Sequence, residues 1–224
     1  MEKGTGDKMN KDKHKSFEKR EELINIAMKE FGEKGYENAS LNNILKETGI
    51  SKGTFYYHYK NKEDLYMHLL DIITEEKLKF MSKEMNALGP SQSVFDKFKI
   101  LIKAGMKFAN TNPTIDKFAQ GFIKEIGTKA YEERMKKYFL SRREFLQSLL
   151  QKYGFKSMDY IGDLIEEGYG KGEIRQDLPK DFVKRLVNHT FTNLRVISAA
   201  ENLEEYEQAA NYLVNILKDG IGRR

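Results

Sequence analysis

The sequence predicts an all-α protein, and three observations carry that expectation. Apolar residues recur at helical spacing along most of the chain, and glycines and capping residues punctuate those stretches. Only three prolines occur, Pro90, Pro113 and Pro179, each at a plausible helix start. No stretch reads as a strand. The 224 residues suffice for one large domain or two smaller ones with a proper core. Apolar content of 39% with 33% charged residues suits a soluble, charge-rich helical chain. The absence of cysteine excludes disulfides and thiolate catalysis and fits a reducing cytoplasm. No apolar run approaches the roughly 20 residues that span a bilayer. The N-terminal residues lack the apolar core of a secretory signal. The expectation is a cytoplasmic protein with no membrane partner. The net charge of +5 and pI of about 9.0 suit a polyanionic partner without requiring one.

Residues 1–15 hold five lysines and three acids without periodicity, and are expected to form a flexible basic tail. Leu23, Ile24, Ala27, Met28 and Phe31 form a helical stripe ended by Gly32 and Gly35, with Tyr36 as a tertiary anchor. Ser40 caps a short helix bearing Leu41, Ile44 and Leu45, and Gly49 stops it in the left-handed conformation. Ser51 caps the next helix. Asn61 caps a fourth, with Glu63 and Asp64 in its first turn to suit the dipole. That helix keeps its spacing from Leu65 through Met85 until Gly89-Pro90 breaks it. Further helices are expected near 92–110, 113–126, 128–153, 157–170, 180–200 and 203–219, with a glycine-studded turn at 168–179. The expected organisation is a tail (1–15), a three-helix head (16–62) and a helical body (63–224).

The head carries the chemistry. Leu41, Ile44 and Leu45 can face Leu23, Ala27 and Phe31, with Ile50 plugging the turn and Phe55 and Tyr59 closing the core. Ser51, Lys52, Gly53 and Thr54 open the third helix, where free backbone N–H groups favour phosphate, Lys52 adds charge and Gly53 admits a close approach. Tyr56, Tyr57 and His58 put polar tips on apolar bodies, and Lys60 and Lys62 stand at the helix exit, suited to phosphate. Four lysines against one acid make Lys46–Lys62 locally basic. Four aromatics within residues 55–59 cannot all enter so small a core, so some are exposed among lysines. A helix-turn-helix that reads the DNA major groove fits this pattern better than plain packing does.

SKGTFYYHYKNKEDL, Ser51 through Leu65, resembles the signature of the TetR (tetracycline repressor) family of bacterial transcriptional regulators. Gly35-Tyr36, Ser40, Ile44 and Gly49-Ile50 fit the same pattern, so the resemblance spans roughly 17–70. Leu45 and Thr48 depart from it, standing where the family often has alanine. The resemblance implies an all-α homodimer whose head binds double-stranded operator DNA and whose body binds a small molecule. On this chain it assigns DNA contact to Ser51, Lys52, Gly53, Thr54, Tyr56, Tyr57, His58 and Lys62, with Ser40 on phosphate.

In the body, Phe182, Val183, Leu186, Val187, Thr190, Phe191, Leu194 and Ile197 share a broad apolar face that Val196 and Ala199 widen. With Met158, Ile161, Ile165 and Tyr169 this suits a four-helix bundle made by two subunits, the dimer mode that the resemblance implies. Phe98, Ile102, Met106, Phe118, Phe122, Tyr138 and Phe139 suit either an ordinary core or an adaptable apolar effector pocket. No nucleophile sits with a positioned base, no phosphate loop follows a strand and the four histidines show no metal spacing, so neither catalysis, cofactor nor metal is expected. The expected function is a ligand-responsive, sequence-specific repressor, released from a pseudo-palindromic operator by a small apolar or amphipathic effector. The rival reading is a DNA-architectural or adaptor protein without an effector.

Overall fold

The structure is a computed structural model that describes residues 6–87, 92–200 and 202–223. These residues fold into α1 (Gly6–Asn38), α2 (Leu41–Thr48), α3 (Lys52–His58), α4 (Lys62–Asn86), α5 (Val94–Thr111) and α6 (Pro113–Glu125). There follow α7 (Lys129–Ser141), α8 (Arg143–Tyr153), α9 (Tyr160–Gly170), α10 (Lys180–Thr192), α11 (Leu194–Ser198) and α12 (Leu203–Ile221). Among the described residues the β-pairing is one isolated antiparallel bridge, Ile174 with Gly222. Among the described residues no helix is long and apolar enough to cross a membrane.

The expected caps are in place because each is a local bond. The Ser40 hydroxyl accepts the Asn43 N–H at 3.3 Å, Ser51 accepts that of Thr54 at 3.0 Å and Asn61 accepts that of Asp64 at 2.9 Å. Gly49 takes φ 63° and ends α2. Three expectations change. The expected tail is helical from Gly6 onward, and residues 1–5 lie outside the described residues, as does the break at Gly89-Pro90. Gly32 does not end α1; the helix breaks only at Gly35, at φ 72° and ψ 170°. The helices expected at 128–153 and 180–200 are each divided, at Arg142 and Asn193.

The described residues form two compact units. The first contains the described residues up to Thr74 together with Asn112–Arg142, so α6 and α7 pack with the head. The reason is a glycine crossing. A Cβ on Gly121 would lie 2.5 Å from the Gly32 carbonyl oxygen, and one on Gly32 would lie 2.6 Å from that of Lys117. α1 and α6 therefore meet backbone to backbone. Phe118 enters the shared core there, its ring 5.4 Å from Tyr66, which in turn lies 5.0 Å from Phe31.

The second unit, Glu75–Thr111 with the residues from Arg143 onward, has its own core. Phe95, Phe98 and Ile102 of α5 pack there with Ile165 of α9, Val183 and Val187 of α10, Leu194 of α11 and Val214 of α12.

Candidate nucleic-acid interface

α3 is a short helix seated by two rings. Phe55 and Tyr59 are buried and stack on each other with centroids 5.5 Å apart, as their spacing from the turn requires. That seating turns the intervening residues outward: Tyr56 is 55% and Tyr57 77% exposed, and His58 is exposed beside Tyr57. Large rings held this far into solvent contribute little to a monomer's own stability. Lys52, Gly53 and Lys60 are exposed on the same short segment. Ser51 and Thr54 hydrogen-bond through their hydroxyl oxygens at 2.9 Å, leaving lone pairs and a proton available at the surface. A Cβ at Gly53 would meet nothing closer than the Ser51 hydroxyl at 3.8 Å, so nothing inside the protein demands a glycine there.

The turn behind this helix is tightly fixed. Lys19 donates to the Thr48 carbonyl at 3.0 Å. The buried Thr48 hydroxyl donates to the Ile44 carbonyl at 2.9 Å and accepts the Ile50 N–H at 3.3 Å, so threonine fits where the resembled pattern has alanine. Ser40 is half-buried, and its N–H donates to Glu30 at 2.9 Å. Burial would raise the Glu30 carboxyl, but Lys34 at 2.8 Å and the Ser40 amide hold it below 4.5. Beneath α3 lies a cavity of about 390 Å³ whose lining includes Ile50, Thr54, His58 and His68.

Lys62 requires a correction. The sequence placed it on phosphate, but its ammonium donates to the carbonyls of Tyr36 (2.8 Å), Ala39 (3.1 Å) and Glu37 (3.3 Å) and lies 4.6 Å from the Tyr36 ring centroid. All three of its protons serve the end of α1, so it has none for DNA in this conformation. The sequence also missed Glu125 and Arg134. Glu125 accepts the Tyr36 N–H at 2.5 Å and Arg134 at 2.6 Å, and Arg134 also reaches Glu37 at 2.7 Å. Gly32 and Gly121 were the available signal, since a residue without a side chain on each of two helices permits a close crossing.

The residues expected to line an effector pocket do not converge within either unit. Phe118 and Tyr138 are buried in the first unit, where Phe122 packs on Tyr131 and Phe139 is 46% exposed. Phe98, Ile102 and Met106 are buried in the core of the second. Of the seven, Phe118, Tyr138, Phe98, Ile102 and Met106 are buried within their own units.

The expected dimer set also divides. Ile165 and Leu194 are buried in the second unit's own core and are unavailable to a partner, which corrects their assignment. Met158, Ile161, Tyr169, Thr190 and Phe191 are half-buried; the Tyr169 hydroxyl donates to the Leu178 carbonyl and Phe191 packs on Phe98. Leu186 and Ile197 are exposed, and so are Phe182, Val196, Tyr212 and Ile216; the last two were not foreseen.

Comparison with known proteins agrees with this geometry. The model of bacterial regulatory proteins of the tetR family matches residues 23–69, the span from α1 into α4. An HTH-type transcriptional regulator of Staphylococcus aureus is 33% identical over 100 residues, 45% of this chain and 52% of that protein. The chain thus spans about half the length of that relative. The biofilm operon icaADBC HTH-type negative transcriptional regulator of Staphylococcus epidermidis is 25% identical over 182 residues, 75% of this chain and 97% of its own length. The transcriptional regulator FadR of Bacillus subtilis, solved in complex with stearoyl-CoA, superposes with a TM-score of 0.59 at 17% identity, covering 89% of this chain and 97% of that one. At that identity it shows a shared all-α fold.

Proposed function

We propose that this chain, whose residues 23–69 match the tetR-family model, is a ligand-responsive repressor of that family binding a pseudo-palindromic operator as a homodimer. The observation that carries the reading is the seating of α3: Phe55 and Tyr59 face inward while Lys52, Tyr56, Tyr57 and His58 face out. The exposed set offers phosphate contacts from Lys52, Ser51 and Lys60, with Ser40 supporting from α2, and base-edge contacts from Thr54 and Tyr56. Gly53, unneeded by the protein's own packing, lets a phosphate or base edge approach the backbone.

Dimerisation uses the exposed apolar residues of α10 and α11, Phe182, Leu186, Val196 and Ile197, with the half-buried residues of α9 at the margin. Two heads then enter successive major grooves about 34–36 Å apart. Repression is supported by the negative regulator among the relatives, and an amphipathic effector by the stearoyl-CoA complex of the structural neighbour. An inducer must bind the DNA-free conformer better than the DNA-bound one. Stearoyl-CoA, titrated into the protein–operator complex and followed by fluorescence anisotropy, tests this. Saturable release supports the reading. Release by no amphipathic ligand of a panel, with DNA still bound, favours a regulator without an effector.

A further inference from the structure

Tyr36 lies at the corner between α1 and α2 and is held from every side that the structure shows. The Arg134 guanidinium lies 3.9 Å from its ring centroid and the Lys62 ammonium 4.6 Å. Its N–H donates to Glu125, and its carbonyl accepts from Lys62. Arg134 is 6% exposed and completes the cluster by joining Glu125 to Glu37, which belongs to the corner itself. Gly35, with φ 72°, is what brings Glu125 so near: a Cβ there would lie 2.7 Å from its carboxylate oxygen.

Such a cluster is a poor device for stability alone. A buried guanidinium carries a desolvation penalty that apolar packing avoids, and its fixed planar fork is worth most where direction matters. What lies beyond the corner gives direction its value. Ser40, the cap of α2, follows Ala39 at once, and α2 and α3 hang from that cap.

We propose that Arg134 of α7 is a positioning residue for DNA reading. Through Tyr36, Glu37 and Glu125 it sets the angle at which α2 and α3 are presented, and it does not touch DNA. The corner at Tyr36–Ala39 is where α6 and α7, outside the helix-turn-helix, hold the head. This rests on the reading of the head as a DNA-binding element.

The test uses the full chain and the DNA sequence that the wild type selects. Arg134→Lys keeps the charge but loses the fork, and Glu37→Gln takes the charge from one arm of the clamp at a side chain that is 65% exposed and easily replaced. Affinity is measured against salt, at a temperature where circular dichroism shows each variant fully folded. The expected result is about tenfold weaker binding for Arg134→Lys and a smaller loss for Glu37→Gln, both with the wild-type salt slope. Wild-type affinity in both folded variants overturns the proposal. A lowered slope means a direct phosphate contact and also overturns it, as does a loss that merely tracks the unfolded fraction. A wild-type protein that selects no DNA refutes the underlying reading instead, and the two failures are distinct.

Discussion

Alanine at Gly121 and at Gly105 should move stability in opposite directions, although both glycines lie inside helices. At Gly105 a Cβ meets nothing within 4 Å, so the substitution acts on the backbone alone. Glycine to alanine in a helix interior stabilises by about 0.5–1 kcal/mol, largely by restricting the unfolded chain. At Gly121 the same gain is opposed by contact. The new Cβ would lie 2.5 Å from the Gly32 carbonyl oxygen and 2.9 Å from Gly32 Cα, and both are backbone atoms that cannot rotate away. Restoring ordinary contact at 3.4 Å requires α1 and α6 to part by about 0.9 Å. Overpacking of this kind costs about 1–3 kcal/mol, so the net effect is a loss of up to about 2.5 kcal/mol. For a chain of this size each kcal/mol moves the melting temperature by roughly 2–4 °C. Thermal melts followed by circular dichroism should therefore show Gly105→Ala melting higher and Gly121→Ala lower than wild type. A Gly121→Ala protein that melts as high as Gly105→Ala would refute the backbone-to-backbone crossing, and with it the inclusion of α6 in the head's packing unit.

Lys52→Ala should lower the slope of log affinity against log salt by about one unit, whereas Lys62→Ala should leave the slope unchanged and lower thermal stability, since Lys62 serves the end of α1. Equal slope losses would return Lys62 to the phosphate set. Burial and the Arg20 cation hold His68 below its ordinary 6.5, and Arg20 lies 3.1 Å from His68 Nε2. The folded chain thus binds fewer protons there than the unfolded one, so this stabilisation is complete above about 6.5 and is lost as pH falls toward the folded value. His68→Gln should flatten the fall in melting temperature between pH 7.5 and 5.5 relative to wild type; an unchanged profile would count against this role. Ile197→Glu places a charge on a residue that is 62% exposed, so a folded monomer is expected in sedimentation where the wild type is a dimer. A dimer that persists would remove α11 from the interface.

The head was legible wherever its physics is local. Ser40, Gly49, Ser51 and Asn61 act on residues within four positions, and their roles follow from spacing alone. The inward and outward division of residues 55–59 was equally readable, because a seven-residue helix has only one face to bury. What spacing could not show was long-range. Glu125 and Arg134 reach the α1–α2 corner across 89 and 97 residues, and nothing in either neighbourhood marks them as partners of Tyr36 and Glu37. Lys62 shows the same limit from the other side: its charge was plain, but the three carbonyls that occupy it depend on where α1 ends. In the body, aromatic and aliphatic residues at helical spacing marked helical stretches but missed the breaks at Arg142 and Asn193 and could not divide core from pocket or interface. Ile165 and Leu194 have the same character as Ile197, yet the first two are buried within their own unit.

The most direct measurement is selection from random double-stranded DNA by the purified full chain, run in parallel for wild type and Thr54→Ala. The wild type should enrich two inverted half-sites whose centres lie one helical turn, 10–10.5 base pairs, or a multiple of it apart. Thr54→Ala should enrich a consensus changed at the positions that Thr54 reads. No enriched sequence, or a single asymmetric site bound by one chain, would contradict a dimeric reader built on α3.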